Sequence, residues 1–293
     1  MNNKKSPVAD YLILVAGVLG ICFAPPLIKI ARSHGVSVFA TAFWRIAVGA
    51  VFVAFIGKPW QIKANLKSIF LAVLAGIFMA LHFVVWVWSF DYVSVAVSVV
   101  LVTTVPIFVV AFEYIFLKNK PTSKTVFGVA LAMIGAIIVS VTGLSSGFGQ
   151  ILGSLLALAG ALTAACFFFL SKLAQREMIS WQTISVMFIT AAFVMLIFLP
   201  FTGVSLVGFD KTGWFAVILM GLLSQLIGQS ALNISVTRLS TTITTTAVLF
   251  EPVGASILAW FMFRETITPL VFVGGVVIIL GVWLTNKKQK LSK

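Results

Sequence analysis

Residues 249–281 read LFEPVGASILAWFMFRETITPLVFVGGVVIILG, and this stretch decides the fold. The charged pair Arg264 and Glu265 separates two long apolar runs, and a single acid, Glu251, lies inside the first run beside Pro252. A helix that crosses a bilayer needs about 20 predominantly apolar residues. The stretch is therefore typical of two transmembrane helices joined by a tight turn.

The same composition holds along the whole chain, in which 61% of the 293 residues are hydrophobic and only 9% are charged. Folded in water, such a chain would leave a large apolar surface exposed. In lipid, helices satisfy their own backbone hydrogen bonds. We therefore predict an all-α integral membrane protein with ten transmembrane helices and no soluble domain. The predicted spans are residues 10–32, 37–56, 67–90, 93–117, 123–142, 149–171, 181–201, 212–236, 239–263 and 269–286.

The two halves of the chain look like copies of each other. Glycine and proline are scarce, so a constant spacing between them in successive helices is unlike chance. The pairs that share an offset of 146 residues are Ser94 and Ser240, Pro106 and Pro252, Gly128 and Gly274, and Gly135 and Gly281, while Lys29 and Lys172 are 143 apart. The uncharged segment 142–147 divides the copies. We predict two five-helix repeats, residues 1–146 and 147–293.

The charge distribution predicts the orientation. The chain has 20 Lys and Arg against 7 acids, and the basic residues collect in alternate loops. With the N-terminus in the cytoplasm, fifteen of them lie on the cytoplasmic side and four on the other, a clear positive-inside bias. The excess is thus a topology signal and not a sign of nucleic-acid binding. Both termini are predicted to be cytoplasmic, and because five is an odd number the second repeat must be inverted, as in secondary transporters.

Two charged residues lie near the middle of predicted spans, Arg45 in the second and Glu251 in the ninth. A charge at the bilayer centre costs about 2.5–3.5 kcal/mol on insertion scales, so each should face the bundle interior or a wet cavity. Pro106 and Pro252 cannot donate a helical hydrogen bond and are predicted to break their helices. We interpret Glu251 and Arg45 as coupling or gating residues, with a purely structural buried pair as the alternative.

Polar residues in the third and eighth spans suggest a solute path. Gln225, Gln229 and Asn233 are four residues apart, which places them on one face of a regular helix. His82 and Trp86 have the same spacing and could present a hydrogen-bonding group and an aromatic platform to an organic substrate, although packing is the alternative for both sets.

Further features are assigned from position alone. Glu113 lies close to Lys118 at a helix end, where we expect it to contact water. Cys22 and Cys166 fall inside apolar spans and imply neither a disulfide nor a metal framework. With few histidines and acids we predict no metal site, no cofactor and no enzymatic activity.

Three groups of residues together resemble the drug/metabolite transporter superfamily, EamA-like branch. They are the run Gly20, Lys29, Arg45, the stretch from Ser94 through Pro106, and Glu251-Pro252 followed by Arg264-Glu265-Thr266 and Gly274 with Gly281. The resemblance covers the whole chain. It implies a central cavity between two inverted halves, with His82, Trp86, Gln225, Gln229 and Glu251 on the lining helices. We add Thr104 and Asn233 to the cavity and Lys29 to the gating residues. The acid that the family carries after the fourth span is replaced by Asn119.

The resemblance implies a secondary transporter in the cytoplasmic (inner) membrane. We expect export of an amino acid or a related small organic metabolite by alternating access. An importer or exchanger of nucleotide-type metabolites, a lipid-handling flippase and a partner subunit are the alternatives. Coupling to protons or to the membrane potential, and assembly as a homodimer, stay open. An ATP-driven pump is disfavoured because the chain has no Walker-type loop.

Overall fold

The computed structural model describes residues 7–89, 91–93, 98, 101–140, 149–264 and 269–285. All regular structure in these ranges is helical, without a β-strand. Ser94, the linker 142–147, Glu265 and Thr266, and the basic residues of both termini lie outside the described residues.

Besides two short 3-10 helices, Pro59–Gln61 and Leu199–Phe201, the described residues define the bounds of thirteen α-helices and one π-helix. Their bounds are α1 Pro7–Cys22, α2 Ala24–Ser33, α3 Val38–Gly57, α4 Leu66–Ser89, α5 Val105–Leu117, α6 Ser123–Ser140, α7 Gly149–Ala174, α8 Ser180–Phe198, α9 Lys211–Met220, the π-helix Gly221–Gln229, α10 Ser230–Arg238, α11 Thr241–Val248, α12 Glu251–Phe263 and α13 Pro269–Thr285.

Several of these helices continue one another and form the membrane-spanning units. Seven such stretches are long and apolar enough to cross a bilayer: Val8–Ser33, Val38–Gln61, Leu66–Ser89, Ile151–Ala174, Ser180–Phe201, Lys211–Arg238 and Thr241–Phe263. Three shorter apolar helices, Val105–Leu117, Ser123–Ile138 and Phe272–Thr285, accompany them. The protein is therefore a multi-pass, all-helical membrane protein.

The internal offset of 146 residues recurs in the helix boundaries. Helices α5 and α12 are both 13 residues long and begin at positions 146 apart. Each ends at a basic residue with a left-handed backbone, Lys118 with φ 57° and Arg264 with φ 58°. A non-glycine residue in this region is uncommon. Two such residues at equivalent positions are a shared feature of the two halves.

Helices α6 and α13 run antiparallel and touch through their backbones. A Cβ on Gly128 would lie 2.7 Å from the carbonyl oxygen of Gly281, and one on Gly135 would lie 2.7 Å from that of Gly274. Gly128 and Gly274 are 146 residues apart, as are Gly135 and Gly281, so the two contacts are equivalent under the internal repeat. Only glycine permits this approach, since any side chain would force the helices apart.

The remaining helices pack in a matching pattern. The third span, α4, packs along α7, which opens the second half; conversely the eighth span packs along α1. Helix α3 packs against α8. Helices of one repeat thus pack mainly against helices of the other. The helix breaks come together at the centre of the bundle.

Three prolines account for those breaks. The first span is interrupted at Phe23 before Pro25, the fourth at Thr104 before Pro106, and the ninth between Val248 and Glu251 before Pro252. Proline has no N–H to donate and its ring clashes with the preceding turn. Each proline therefore leaves the carbonyl four residues earlier without its helical donor.

Candidate functional site

A cavity of about 80 Å³ lies where the interrupted helices meet. Three of its lining residues, Ile21, Val102 and Val248, stand four positions before a helix-breaking proline, so their carbonyls lack the usual helical donor. The other lining residues are Arg45, His82, Phe83, Trp86, Thr103, Val105, Ala164, Phe167, Phe168, Gln229, Leu232, Thr245 and Glu251. The site combines donors, acceptors and an aromatic wall, and it has room for several waters or a small solute.

Arg45 supplies the positive charge of the cavity. It is only 6% exposed. Its Nε donates to Oε1 of Gln225 at 3.0 Å, and its guanidinium lies 5.0 Å from the centre of the Phe83 ring. A hydrogen bond through Nε and a cation–π contact together fix the side chain while leaving the two terminal nitrogens for another partner. Gln225 therefore positions Arg45 and is not itself a lining residue.

Glu251 is the acidic residue of the cavity. It begins α12, directly after the break, and is half-buried. It interacts electrostatically with Arg45. The ion pairs within 4 Å among the described residues do not include Arg45 with Glu251. A basic and an acidic side chain thus line one cavity without a direct ion pair, and Gln225 and Phe83 both contact the guanidinium.

His82 and Trp86 form the aromatic side of the cavity. Their rings stack at 5.8 Å with an interplanar angle of 14°. Nδ1 of His82 lies 2.8 Å from the Gly160 carbonyl oxygen, which can only accept, so Nδ1 carries the hydrogen. In a neutral ring Nε2 is then an acceptor. Phe167 packs edge-on against the same imidazole at 5.7 Å.

The eighth span differs from the regular helix that the spacing of its carboxamides predicted. Residues 221–229 form a π-helix, in which Ser230 N–H donates to the carbonyl of Gln225 five residues earlier. Residues four apart no longer stack on one face of such a helix. Gln229 lines the cavity, while Gln225 holds Arg45 and Asn233 donates from Nδ2 to the Gln229 carbonyl at 2.9 Å. The predicted single face is thus divided into three roles.

Gln229 has an unsatisfied donor. It is 6% exposed, and its Nε2 is buried without a hydrogen-bond partner among the described residues. A buried donor left unpaired costs about 1–3 kcal/mol. A ligand acceptor in the cavity would remove this cost.

Two other predicted residues lie outside the cavity. Thr104 directly precedes α5 and donates from Oγ1 back to the Leu101 carbonyl at 2.7 Å, and its neighbour Thr103 lines the cavity in its place. Lys29 lies in α2, with Nζ 4.8 Å from the centre of the Phe263 ring. It joins the first span to the end of the ninth and makes no contribution to the cavity wall.

The expectation that Glu113 contacts water is wrong. Its side chain is 9% exposed, Oε1 accepts from Lys172 Nζ at 2.6 Å, and Oε2 accepts from Thr242 Oγ1 at 2.9 Å. These three residues join α5, α7 and α11, and we call them the Glu113 cluster. Thr242 is one turn from the lining residue Thr245, and Lys172 is one turn from Phe168. The cluster thus joins three helices one turn away from the cavity lining.

A second polar contact lies at the N-terminal end of the eighth span. Asp210 caps α9, with Oδ1 accepting from Gly213 N–H at 2.7 Å and Oδ2 accepting from His34 Nδ1 at 2.6 Å. The Gly213 N–H and then the His34 bond lower the pKa of Asp210, since both stabilise its ionised form. Contacts therefore join the two halves on both sides of the cavity.

Comparison with known proteins matches this architecture. The model of the EamA-like transporter family fits residues 9–141 and, a second time, residues 151–287. The chain belongs to the EamA-like transporter family. It is accordingly a transporter and not an enzyme.

Two distant relatives of this EamA-like chain cover nearly its full length. It is 24% identical to a probable terminal-alkyne amino-acid exporter of Streptantibioticus cattleyicolor, over 94% of this chain and 92% of that protein. It is 22% identical to the uncharacterized transporter YetK of Bacillus subtilis, over 98% and 89%. A solved crystal structure superposes with a TM-score of 0.80 at 16% identity, covering 95% of this chain and 96% of the other, which shows a shared fold.

Some lining residues of the EamA-like cavity were missed by sequence reasoning. Phe167 and Phe168 lie within an uninterrupted apolar helix, where nothing distinguishes a cavity-facing ring from a packed one. Ile21, Val102 and Val248 could have been found, because counting four residues back from each helix-breaking proline identifies them. Thr245 lies among threonines that bond their own helix and carries no separate signal.

Proposed function

We propose that this protein exports a small amino acid or a closely related zwitterion across the cytoplasmic (inner) membrane by alternating access. The observation that carries the proposal is the unpaired juxtaposition of Arg45 and Glu251 in one central cavity. In a direct ion pair the two side chains would satisfy each other, and neither would be available to the charged groups of a substrate.

The donors and acceptors of the cavity match the two charged groups of an amino acid. Arg45 and the unsatisfied Nε2 of Gln229 are donors for a carboxylate. Glu251, together with the carbonyls that lost their helical donors, provides acceptors for an ammonium group. In transporters with broken helices, such exposed backbone groups commonly bind substrate or coupling ions. The rings of His82 and Trp86 would then contact the side chain of the substrate.

The charge balance favours a zwitterion over a nucleotide. Among the lining residues Arg45 is the one permanent cation, and Glu251 offsets it. Several phosphates would bring more negative charge than one arginine can neutralise, and they would also lie close to a carboxylate. The relative named as a probable amino-acid exporter supports the same choice.

Alternating access would use the relation between the two halves. We infer ten crossings, with residues 1–146 and 147–293 inverted and both termini in the cytoplasm. The antiparallel contact of α6 with α13 and the bias of basic residues support this topology. The Glu113 cluster would then lie on the cytoplasmic side of the cavity. Impermeant labelling of cysteines at Asn119 and Thr266 tests the inversion, which predicts labelling from opposite faces.

The function is tested by flux in proteoliposomes that contain only the purified protein. We expect efflux of radiolabelled small amino acids above protein-free vesicles. Unlabelled amino acids should compete, whereas N-acetylated and methyl-ester derivatives, each lacking one charge, should compete at least tenfold less well. No protein-dependent flux of any amino acid would contradict the proposal.

Glu251→Gln identifies the group that recognises the ammonium. The variant should lose most flux and should no longer discriminate against N-acetyl derivatives, because the acceptor charge is gone. The matched control is Asp91→Asn, which removes an exposed acid outside the cavity lining. Retained discrimination in Glu251→Gln would assign Glu251 a structural role.

A further inference from the structure

A second and larger cavity lies away from the central one. It has a volume of about 710 Å³ and is formed by the N-terminal half of α4 and the C-terminal ends of α5 and α7. Pockets of 300–1,000 Å³ are the size that holds drug-sized ligands. No part of the proposed transport mechanism uses this cavity.

The cavity is polar at one end and apolar along its length. Lys67, at the start of α4, and Arg176, just after the end of α7, lie at its mouth. Further along α4 its wall is apolar as far as Phe78, 11 residues from Lys67, which corresponds to about 16 Å along a helix. Leu71 and Leu74 lie between them on the same face. This depth suits a hydrocarbon chain and does not suit a compact polar solute.

Aromatic rings form the opposite wall. Phe112, Phe116 and Phe169 contact one another with ring centres 5.7–5.9 Å apart. Phe116 is nevertheless 65% exposed, so this wall also faces the surrounding lipid. The cavity is therefore a groove that a lipid can enter from the side.

Helix α7 separates the groove from the central cavity. Phe167 and Phe168 line the central cavity, whereas Cys166 and Phe169 line the groove. On a helix these two sets point in nearly opposite directions. An occupant of the groove is consequently not a substrate on its way through the central cavity.

The mouth of the groove carries a net positive charge. Lys67 and Arg176 are exposed and make no ion pair with any described residue, and the one acid at the mouth, Glu177, offsets only one of them. Basic pockets between transmembrane helices on the cytoplasmic side bind anionic lipid headgroups. We propose that this groove binds an anionic phospholipid, with an acyl chain along α4 and the headgroup phosphate at Lys67 and Arg176.

Lipid titration of the delipidated protein tests the proposal. Phosphatidylglycerol should bind at one saturable site, detected by native mass spectrometry, and should raise Tm more than phosphatidylcholine does. The double variant Lys67→Gln with Arg176→Gln should weaken phosphatidylglycerol binding by about 20- to 30-fold, roughly fivefold per cation. The matched control is Lys58→Gln with Lys63→Gln, two exposed lysines nearby that do not line the groove.

Cys166 reports where the lipid binds. It lines the groove and is half-buried, whereas Cys22 is 1% exposed and should remain silent. Bound phosphatidylglycerol should slow N-ethylmaleimide modification of Cys166 several-fold, and Cys166→Ser should abolish the signal. Equal effects of the two lipids, unchanged binding in the Lys67/Arg176 variant, or modification of Cys166 that lipid does not slow would each overturn the proposal.

Discussion

The Glu113 cluster offers the sharpest test of how the central cavity opens. If the ion pair between Glu113 and Lys172 closes the cytoplasmic side, removing one charge should favour the state that is open on that side. Glu113→Gln is the mildest such change, because the amide keeps the size of the side chain and an oxygen that can accept from Thr242.

The expected magnitude follows from the burial of the pair. Removing one partner of a fully buried ion pair costs about 3–5 kcal/mol. Here the side chain of Lys172 is 21% exposed and that of Glu113 is 9% exposed, so water can partly solvate the ammonium that is left. A hydrogen bond to a charged group contributes about 1.5–3 kcal/mol, and we take about 2 kcal/mol for this one. That difference would shift the equilibrium between closed and open states about 30-fold.

The assay is the reactivity of a cysteine at Thr245, which lines the cavity one turn from Thr242. In a background of Cys22→Ser and Cys166→Ser, an impermeant thiol reagent on the cytoplasmic side should modify Thr245→Cys up to about 30-fold faster once Glu113→Gln is added. The control is Asp10→Asn. It breaks the more exposed pair with Arg238, where N and O are 3.2 Å apart, and should change the rate less than threefold.

A double variant separates gating from folding. Glu113→Gln with Lys172→Gln leaves no unpaired charge, so it should recover thermal stability and still react quickly. If Glu113→Gln lowers Tm while the modification rate stays at the wild-type value, the cluster holds the helices together and does not gate.

Three further predictions concern single positions. Gln225→Leu should raise the KM for substrate about tenfold or more, because Arg45 loses the bond that positions it, and should also lower Tm, because Nε of Arg45 becomes a buried unpaired donor; an unchanged KM would remove that role. Gly281→Ala should lower Tm clearly, since its Cβ would lie 2.6 Å from helix α6, whereas Gly275→Ala, with its nearest contact at 3.3 Å, should be tolerated; equal Tm values would contradict the packing. The Gly213 N–H in the first turn of α9 lowers the pKa of Asp210, so the Tm advantage of wild type over Asp210→Asn should begin to shrink as the pH falls below about 4 and vanish once the pH is below the lowered pKa; an advantage that stays constant throughout the acid range would exclude this charge effect.

Charge and hydropathy predicted most of the fold because lipid leaves few alternatives. An uninterrupted apolar run must be helical, and a charge inside it must face the bundle interior. That reasoning places Arg45 and Glu251 in the interior without knowledge of their neighbours. Pro106 and Pro252 marked two of the helix breaks for the same kind of local reason, the missing N–H, whereas the break before Pro25 lies inside residues 10–32, which were predicted as one continuous span.

The finer arrangement depends on contacts that a sequence does not display. Gln225 meets Arg45 across 180 residues, and Glu113 meets Lys172 across 59. The π-helix is equally hidden, since the periodicity argument assumes 3.6 residues per turn throughout. Its tight neighbour is Gly20, where a Cβ would lie 2.6 Å from the Gly228 Cα. The π-helix thus lies where the eighth span packs tightly against the first span, a contact that the local sequence does not indicate.

The backbone contact between α6 and α13 has a mechanical consequence. At the paired glycines the two backbones touch with only small or well-packed side chains beside them, so the two helices form a stiff pair. Helix α6 belongs to the first half of the chain and α13 to the second. The pair therefore forms a rigid unit relative to which the other helices can tilt. Distances measured between α6 and α13 should then stay constant through a transport cycle, and the working motion should be confined to the interrupted helices that surround the cavity.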